Sequence, residues 1–154
     1  MSREFELLKT SRIFKAVNDK VIQQLVKQGK VRTYQKDTIL GVELAESDEI
    51  YLIIDGKVRI EVALDPSGTR LESSTGDFIG LLKFFKGEKM QNSFTAAAKS
   101  DLRLICWKAA LWRKICDEDV VTGYKLAMTI GSVLVERMRK WHVNILNSVS
   151  WGIE

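Results

Sequence analysis

Apolar and polar residues alternate along the middle of the chain, between residues 31 and 107, with the two-residue period of half-buried β-strands. The clearest example is residues 49–64. A continuous apolar run at 50–54 is followed by Val58, Ile60 and Val62, which alternate with charged residues. Asp55-Gly56 separates the two patterns and tolerates the positive φ of a two-residue turn. We therefore predict a β-hairpin here.

Short patterns of the same kind predict further strands at residues 31–34, 38–40, 69–75, 93–97 and 102–107. A turn is predicted at 65–68, where proline and glycine stand close together. Many short strands separated by turn residues are typical of an antiparallel roll or barrel.

Helical patterns lie on either side of this region. Residues 3–17 predict short helical pieces, and Asn18 is placed to cap a second helix that ends at Gly29. A short helix is predicted at 109–116 and a long one at 119–147. The predicted class is α+β: an antiparallel, jelly-roll-like double-stranded β-helix flanked by N-terminal helices and a long C-terminal helix. We divide this single domain, 1–154, into a helical lead-in (1–29), a β-roll (30–108) and C-terminal helices (109–147).

This order of elements resembles the cyclic-nucleotide-binding domain family. The resemblance covers roughly residues 7–147 and is strongest at 50–58, similar to the family's strand-Gly-strand signature. Residues 102–107 are similar to its final strand. Residues 76–80, Gly-Asp-Phe-Ile-Gly, look like the entry to its phosphate-binding cassette.

The resemblance implies a ligand site, and this chain departs from the family pattern there. Family members carry a glutamate for the ribose hydroxyl after the second glycine, then an arginine for the phosphate, a Ser or Thr, and an alanine. Here the candidate site residues, in a degenerate cassette, are Gly80, Leu81, Leu82, Asn92, Ser93 and Phe94. Leu81 takes the glutamate position, Asn92 the arginine position and Phe94 the alanine position.

Loss of both charged partners removes about 4–6 kcal/mol of binding free energy, or roughly a thousand-fold in affinity. Lys83, Lys86 and Lys89 are the nearby cations, and we interpret them as ordinary surface residues of a loop. Cyclic nucleotide is therefore a disfavoured ligand, and no cofactor is predicted. Changing Leu81 to Glu, Asn92 to Arg and Phe94 to Ala is expected to restore part of the affinity.

The long helix carries a heptad-like apolar series that predicts a homodimer. The predicted seam residues are Ala127, Leu134, Met138, Trp141 and Ile145. Trp141 is favoured as a residue of the dimer core over one that stacks on a ligand.

Composition narrows the class of protein further. The net charge is +4, but Lys and Arg are interleaved with Asp and Glu, which indicates a solvated surface rather than a nucleic-acid patch. Only seven residues follow Asn147, so no sequence-specific DNA binding is expected. No apolar run reaches the length of a membrane span, and we expect a cytoplasmic protein.

Chemistry-bearing residues are few. Cys106 and Cys116, with the lone His142, do not make a metal site, and no nucleophile–histidine pairing or phosphate loop occurs. The sequence predicts a regulatory ligand-sensing domain that is not an enzyme. Two alternatives stay open: a genuine cyclic-nucleotide sensor with atypical contacts, and a ligand-free module for dimerisation or for binding another protein.

Overall fold

The protein is described here from a computed structural model, which covers residues 2–40, 48–62, 70–86 and 94–148. Its elements form the α+β roll that the sequence predicts. In chain order they are α1 (Arg3–Thr10), α2 (Asp19–Gln28), β1 (Lys30–Tyr34), β2 (Glu49–Asp55), β3 (Lys57–Val62), β4 (Arg70–Ser74), β5 (Phe78–Ile79), α3 (Lys83–Lys86), β6 (Phe94–Ala98), β7 (Leu102–Lys108), α4 (Ala109–Glu118) and α5 (Val120–Ser148).

The described strands form two antiparallel sheets with the orders β1-β7-β2-β5 and β4-β3-β6. The predicted hairpin between β2 and β3 is therefore wrong, although both strands exist: β2 pairs with β5 and β7, and β3 pairs with β4 and β6. Gly56, with φ of 115°, lies where the chain leaves one sheet for the other. The physical reason is burial, because a strand that is apolar on both faces belongs inside a sheet covered on both sides.

The strand predicted at 38–40 is reduced to one isolated bridge between Ile39 and Ala97. Leu40 is buried in the roll, whereas Ile39 is exposed. The turn predicted at 65–68 lies outside the described residues.

Two apolar cores share the sheet that contains β2 and β7. One of them, the helix-side core, lies between this sheet and the helices and includes Ile50, Leu52, Ile54, Ile105 and Trp107. The alternate residues of the same strands point into the roll and meet side chains of the other sheet; the described members of this interior core are Leu40, Tyr51, Ile53, Val58, Ile79, Ala96, Ala98, Leu102, Leu104 and Cys106. The side chain of Cys106 is buried inside the roll.

The end of α2 is fitted closely against β7. Asn18 caps the start of this helix by accepting a hydrogen bond from the Val21 N–H, as predicted. Gly29 ends it with an ordinary negative φ, so its role is space: a methyl group there would lie 2.5 Å from Ile105 Cδ1. This close approach lets the indole N–H of Trp107 donate to the Leu25 carbonyl at 2.7 Å.

Helix α5 buries one face on the domain's own core, where Leu126 and Ile130 are fully covered. Ala127 and Leu134, two of the predicted seam residues, are partly buried against that same core. Apart from Val120 at the start of the helix, the large apolar residues that stay exposed on the described part of α5 define a different line, the outer stripe: Val121, Tyr124, Met128, Val135 and Met138. The side chains of Trp141 and Ile145 lie outside the described part of the structure. Within the described residues, no helix combines the length and hydropathy needed to cross a bilayer.

The contribution of the Trp107–Leu25 hydrogen bond to stability can be measured by comparing two tryptophan variants. Trp107 donates to the Leu25 carbonyl, whereas the indole N–H of Trp112 has no hydrogen-bond acceptor among the described residues. Replacing either by phenylalanine leaves a similar cavity, but only Trp107→Phe also loses a buried hydrogen bond. We expect Trp107→Phe to lower the free energy of unfolding by about 1–2 kcal/mol more than Trp112→Phe. Urea denaturation of both variants checks this, and equal losses would contradict it.

Candidate functional site

The candidate site lies where β5 runs into α3, over one end of the roll. Strand β5 pairs with β2, placing Ile79 opposite Tyr51. Gly80 follows with φ of 88°, a conformation that a side chain disfavours. Its carbonyl accepts from the Lys83 N–H, which begins the single turn of α3. The chain therefore bends sharply at Gly80 and brings α3 against β2.

Four of the predicted site residues, Gly80, Leu81, Leu82 and Phe94, lie within the described part of the chain. Leu81 is buried, but it packs in the helix-side core with Phe84 and Trp112 rather than inside the roll. Leu82 is 52% exposed. Asn92 and Ser93 lie outside the described residues, and Phe94 begins β6 opposite Val62.

Lys83 is a further functional candidate, and its environment differs from the one that the sequence predicts. The sequence predicts a surface residue, but Lys83 is 2% exposed. Its ammonium lies 5.7 Å from the centre of the Tyr51 ring, and Tyr51 belongs to the interior core. A signal was present in the sequence: Lys83 is the one charged residue in the apolar stretch 78–85.

An ion pair lies beside Lys83 at the same end of the roll. Arg32 on β1 donates two hydrogen bonds to the Glu49 carboxylate on β2, at 3.0 and 3.1 Å. Strand β7 lies between β1 and β2, so the arginine side chain spans a whole strand. The Glu49 side chain is 12% exposed and that of Arg32 36% exposed. The Tyr51 hydroxyl lies 3.5 Å from the same carboxylate.

The electrostatics of this cluster have two opposing parts. Hydrogen bonding to the Glu49 carboxylate, which accepts from Arg32, is the largest influence on Arg32 and raises the pKa of its guanidinium, against the effect of burial. Burial is the largest influence on Lys83 and lowers the pKa of its ammonium, while Glu49 and Asp48 act in the other direction. We call Arg32, Glu49, Tyr51 and Lys83 the mouth cluster.

A separate open cleft of about 350 Å³ lies at the opposite end of these strands, lined by Thr33, Tyr34, Gln35, Asp55, Asp101, Leu102 and Arg103. It shares no residue with the mouth cluster or with the predicted site. Among the described residues, no three His, Cys, Asp or Glu side chains are grouped to hold a metal ion.

Comparison with known proteins supports the fold. Residues 25–119 match the family model described as cyclic nucleotide-binding domain. No curated protein matches the chain by sequence.

Solved structures of similar shape come from several bacteria. A cyclic nucleotide-binding domain from Methylobacillus flagellatus has a TM-score of 0.77 at 16% identity, covering 99% of this chain and 85% of that one. The sensor domain of the transcriptional regulator DNR from Pseudomonas aeruginosa has 0.67 at 16%, covering 87% and 90%. The catabolite activator protein of Thermus thermophilus has 0.70 at 16%, covering 88% of this chain and 62% of that one. The chain thus spans less than two thirds of the catabolite activator.

The bend at Gly80 can be tested against Gly76, which also has positive φ. A methyl group at Gly80 would lie 2.9 Å from the Glu49 carbonyl oxygen, whereas one at Gly76 would meet nothing within 4 Å. Gly76→Ala therefore carries only the backbone strain, about 1–2 kcal/mol, and Gly80→Ala adds a clash of about 1–2 kcal/mol. Urea denaturation of the two variants should separate them, and indistinguishable stabilities would argue against the close contact.

Proposed function

Because the chain belongs to the cyclic nucleotide-binding domain family, we propose that it is a regulatory domain that senses a ligand other than cAMP or cGMP and binds these two only weakly. The sensor domain of a bacterial transcriptional regulator among its structural neighbours supports a regulatory role. A fold alone does not fix the ligand, so the proposal is argued from the site.

The observation that carries the proposal is the direction of Leu81. This residue follows Gly80, where the family resemblance implies a ribose-binding glutamate. Its side chain is buried in the helix-side core, the cluster that also contains Phe84 and Trp112, so this position offers no polar group to the roll interior. The sequence also contains no arginine between Arg70 and Arg103 to meet a phosphate.

Because Leu81 is buried in the helix-side core, substituting it by glutamate affects the stability of the protein as well as ligand binding. Leu81→Glu would place a carboxylate in an apolar core, which costs several kcal/mol unless the side chain turns around. The triple change described above is therefore expected to destabilise the protein before it restores any affinity. The wild-type chain is the better object for a binding test.

We keep the prediction of a homodimer, but we now expect the residues of the outer stripe at its interface. The outer stripe follows the heptad spacing 121, 124, 128, 135 and 138, with Gly131 completing the series. A methyl group at Gly131 would lie 4.0 Å from the ring of Phe85, which is itself half exposed on α3. Phe85 thus extends the apolar surface beyond the helix. We infer that a second copy of the chain covers this surface through α5.

The two alternatives are separated by one screen. A genuine sensor with atypical contacts would show a thermal shift with cyclic nucleotides. A ligand-free module for dimerisation or for binding another protein would show none with any small molecule. A shift with another ligand class alone supports the proposed function.

We expect cAMP and cGMP to bind the wild-type protein no more tightly than high-micromolar, because the ribose acceptor and the phosphate cation are both replaced. Isothermal titration calorimetry measures this directly. A family member that keeps the glutamate and arginine serves as the positive control for the ligand stocks. A dissociation constant below about 10 μM would refute the proposal, since it corresponds to about 7 kcal/mol of binding free energy.

The dimer should weaken when a charge is introduced into the outer stripe. Met128→Glu and Met138→Glu each bury a carboxylate in the expected interface and should raise the dimer dissociation constant by at least about tenfold. Thr129→Glu adds the same charge next to Met128 but outside the stripe, and should change it little. Sedimentation equilibrium measures all three. A monomeric wild type at micromolar concentration, or equal effects of Met128→Glu and Thr129→Glu, would contradict an interface at the outer stripe.

A further inference from the structure

The side chain of Lys83 runs into the end of the roll instead of out to solvent. It passes beside Gly80: a methyl group on that residue would lie 3.6 Å from both Cδ and Nζ of Lys83, in ordinary van der Waals contact. The lysine side chain therefore follows the bend of the chain at Gly80. The ammonium ends above the fully buried ring of Tyr51.

Several neighbours of the Lys83 ammonium favour its charged form, although burial opposes it. An ammonium above an aromatic face gains electrostatic stabilisation from the ring, and more so where water is excluded. The Glu49 carboxylate is nearby and is held in one orientation by the two hydrogen bonds from Arg32. Glu49 and Asp48 both favour the charged form of Lys83, opposing the cost of burial.

We propose that the other three residues of the mouth cluster, Arg32, Glu49 and Tyr51, form an ammonium site, and that the chain fills this site with its own Lys83. The ligand class that this site recognises is a primary alkylammonium ion, and Lys83 acts as a tethered ligand that closes this end of the roll. The inference rests on the proposed function in one respect: a site shaped around an ammonium and a carboxylate is unsuited to the phosphate of a cyclic nucleotide. Lys83 then determines specificity by occupying the site.

Chemical rescue tests this proposal. Lys83→Ala removes three methylene groups and the amine, so n-propylammonium is the matching probe. Lys114→Ala is the control variant, because Lys114 is 72% exposed on α4. Tetraethylammonium chloride and sodium chloride control for charge and ionic strength.

We expect Lys83→Ala to lower the melting temperature by about 4 °C or more relative to Lys114→Ala, because only the first empties a buried site. Propylammonium at about ten times its dissociation constant should restore about 3–6 °C to Lys83→Ala. It should leave the wild type and Lys114→Ala unchanged. No rescue, or the same shift in all three proteins, would overturn the proposal.

A measurement on the wild-type protein keeps the test independent of how the variant folds. Acetylation by an amine-reactive ester, followed by peptide mass spectrometry, should modify Lys83 on the order of tenfold more slowly than Lys57 and Lys114. Equal rates would overturn the ammonium site. A protected Lys83 together with tight cAMP binding would refute the proposed function alone, whereas a reactive Lys83 without cAMP binding would refute only the ammonium site.

Discussion

The burial of both faces of β2 is the constraint on which the rest of the structure depends. The helix-side core contains Ile50, Leu52 and Ile54, and the interior core contains Tyr51 and Ile53. A strand with apolar side chains on both faces must be flanked by other strands and covered on both sides. The pairing with β5 and β7, the crossover at Gly56 and the packing of α4 against the sheet all follow from that demand. The first residue of β2, Glu49, is polar and lies just before the apolar run.

The mouth cluster is best understood as the polar boundary of that strand. Burying a carboxylate is costly unless its oxygens are hydrogen-bonded, and Arg32 supplies two donors in the planar arrangement that matches them. Such a pair adds little net stability compared with apolar packing, but it fixes geometry, because removing either partner leaves a charge unsatisfied. It therefore holds β1 in register across β7 at the point where the chain presents Lys83.

The sequence predicts most of the secondary structure correctly. It predicts strand pairing, the packing of α5 and the burial of Lys83 less well, for physical reasons. A two-residue period tells which face of a strand is buried, but not which strand lies beside it, so β2 and β3 were predicted as a hairpin. On α5, two apolar lines have heptad spacing, and only the position of α4 and the core behind it decides that Ala127 and Leu134 turn inward while Met128 and Val135 stay outside. Lys83 was predicted as exposed because lysine usually is, and its burial depends on the contact between Gly80 and β2.

The short helix α3 joins the interior of the roll to the outer stripe. Lys83 points inward to Tyr51, while Phe85, two residues later, lies near Gly131 of α5. Arg113 on α4 donates to the carbonyls of Lys83 and Phe84, which ties the turn to the helices on its other side. The group that fills the mouth of the roll therefore sets the position of the Phe85 ring, which adjoins the outer stripe of α5. In this chain the occupant is Lys83, so a diffusible ligand would have to displace the lysine before it could change the position of α3.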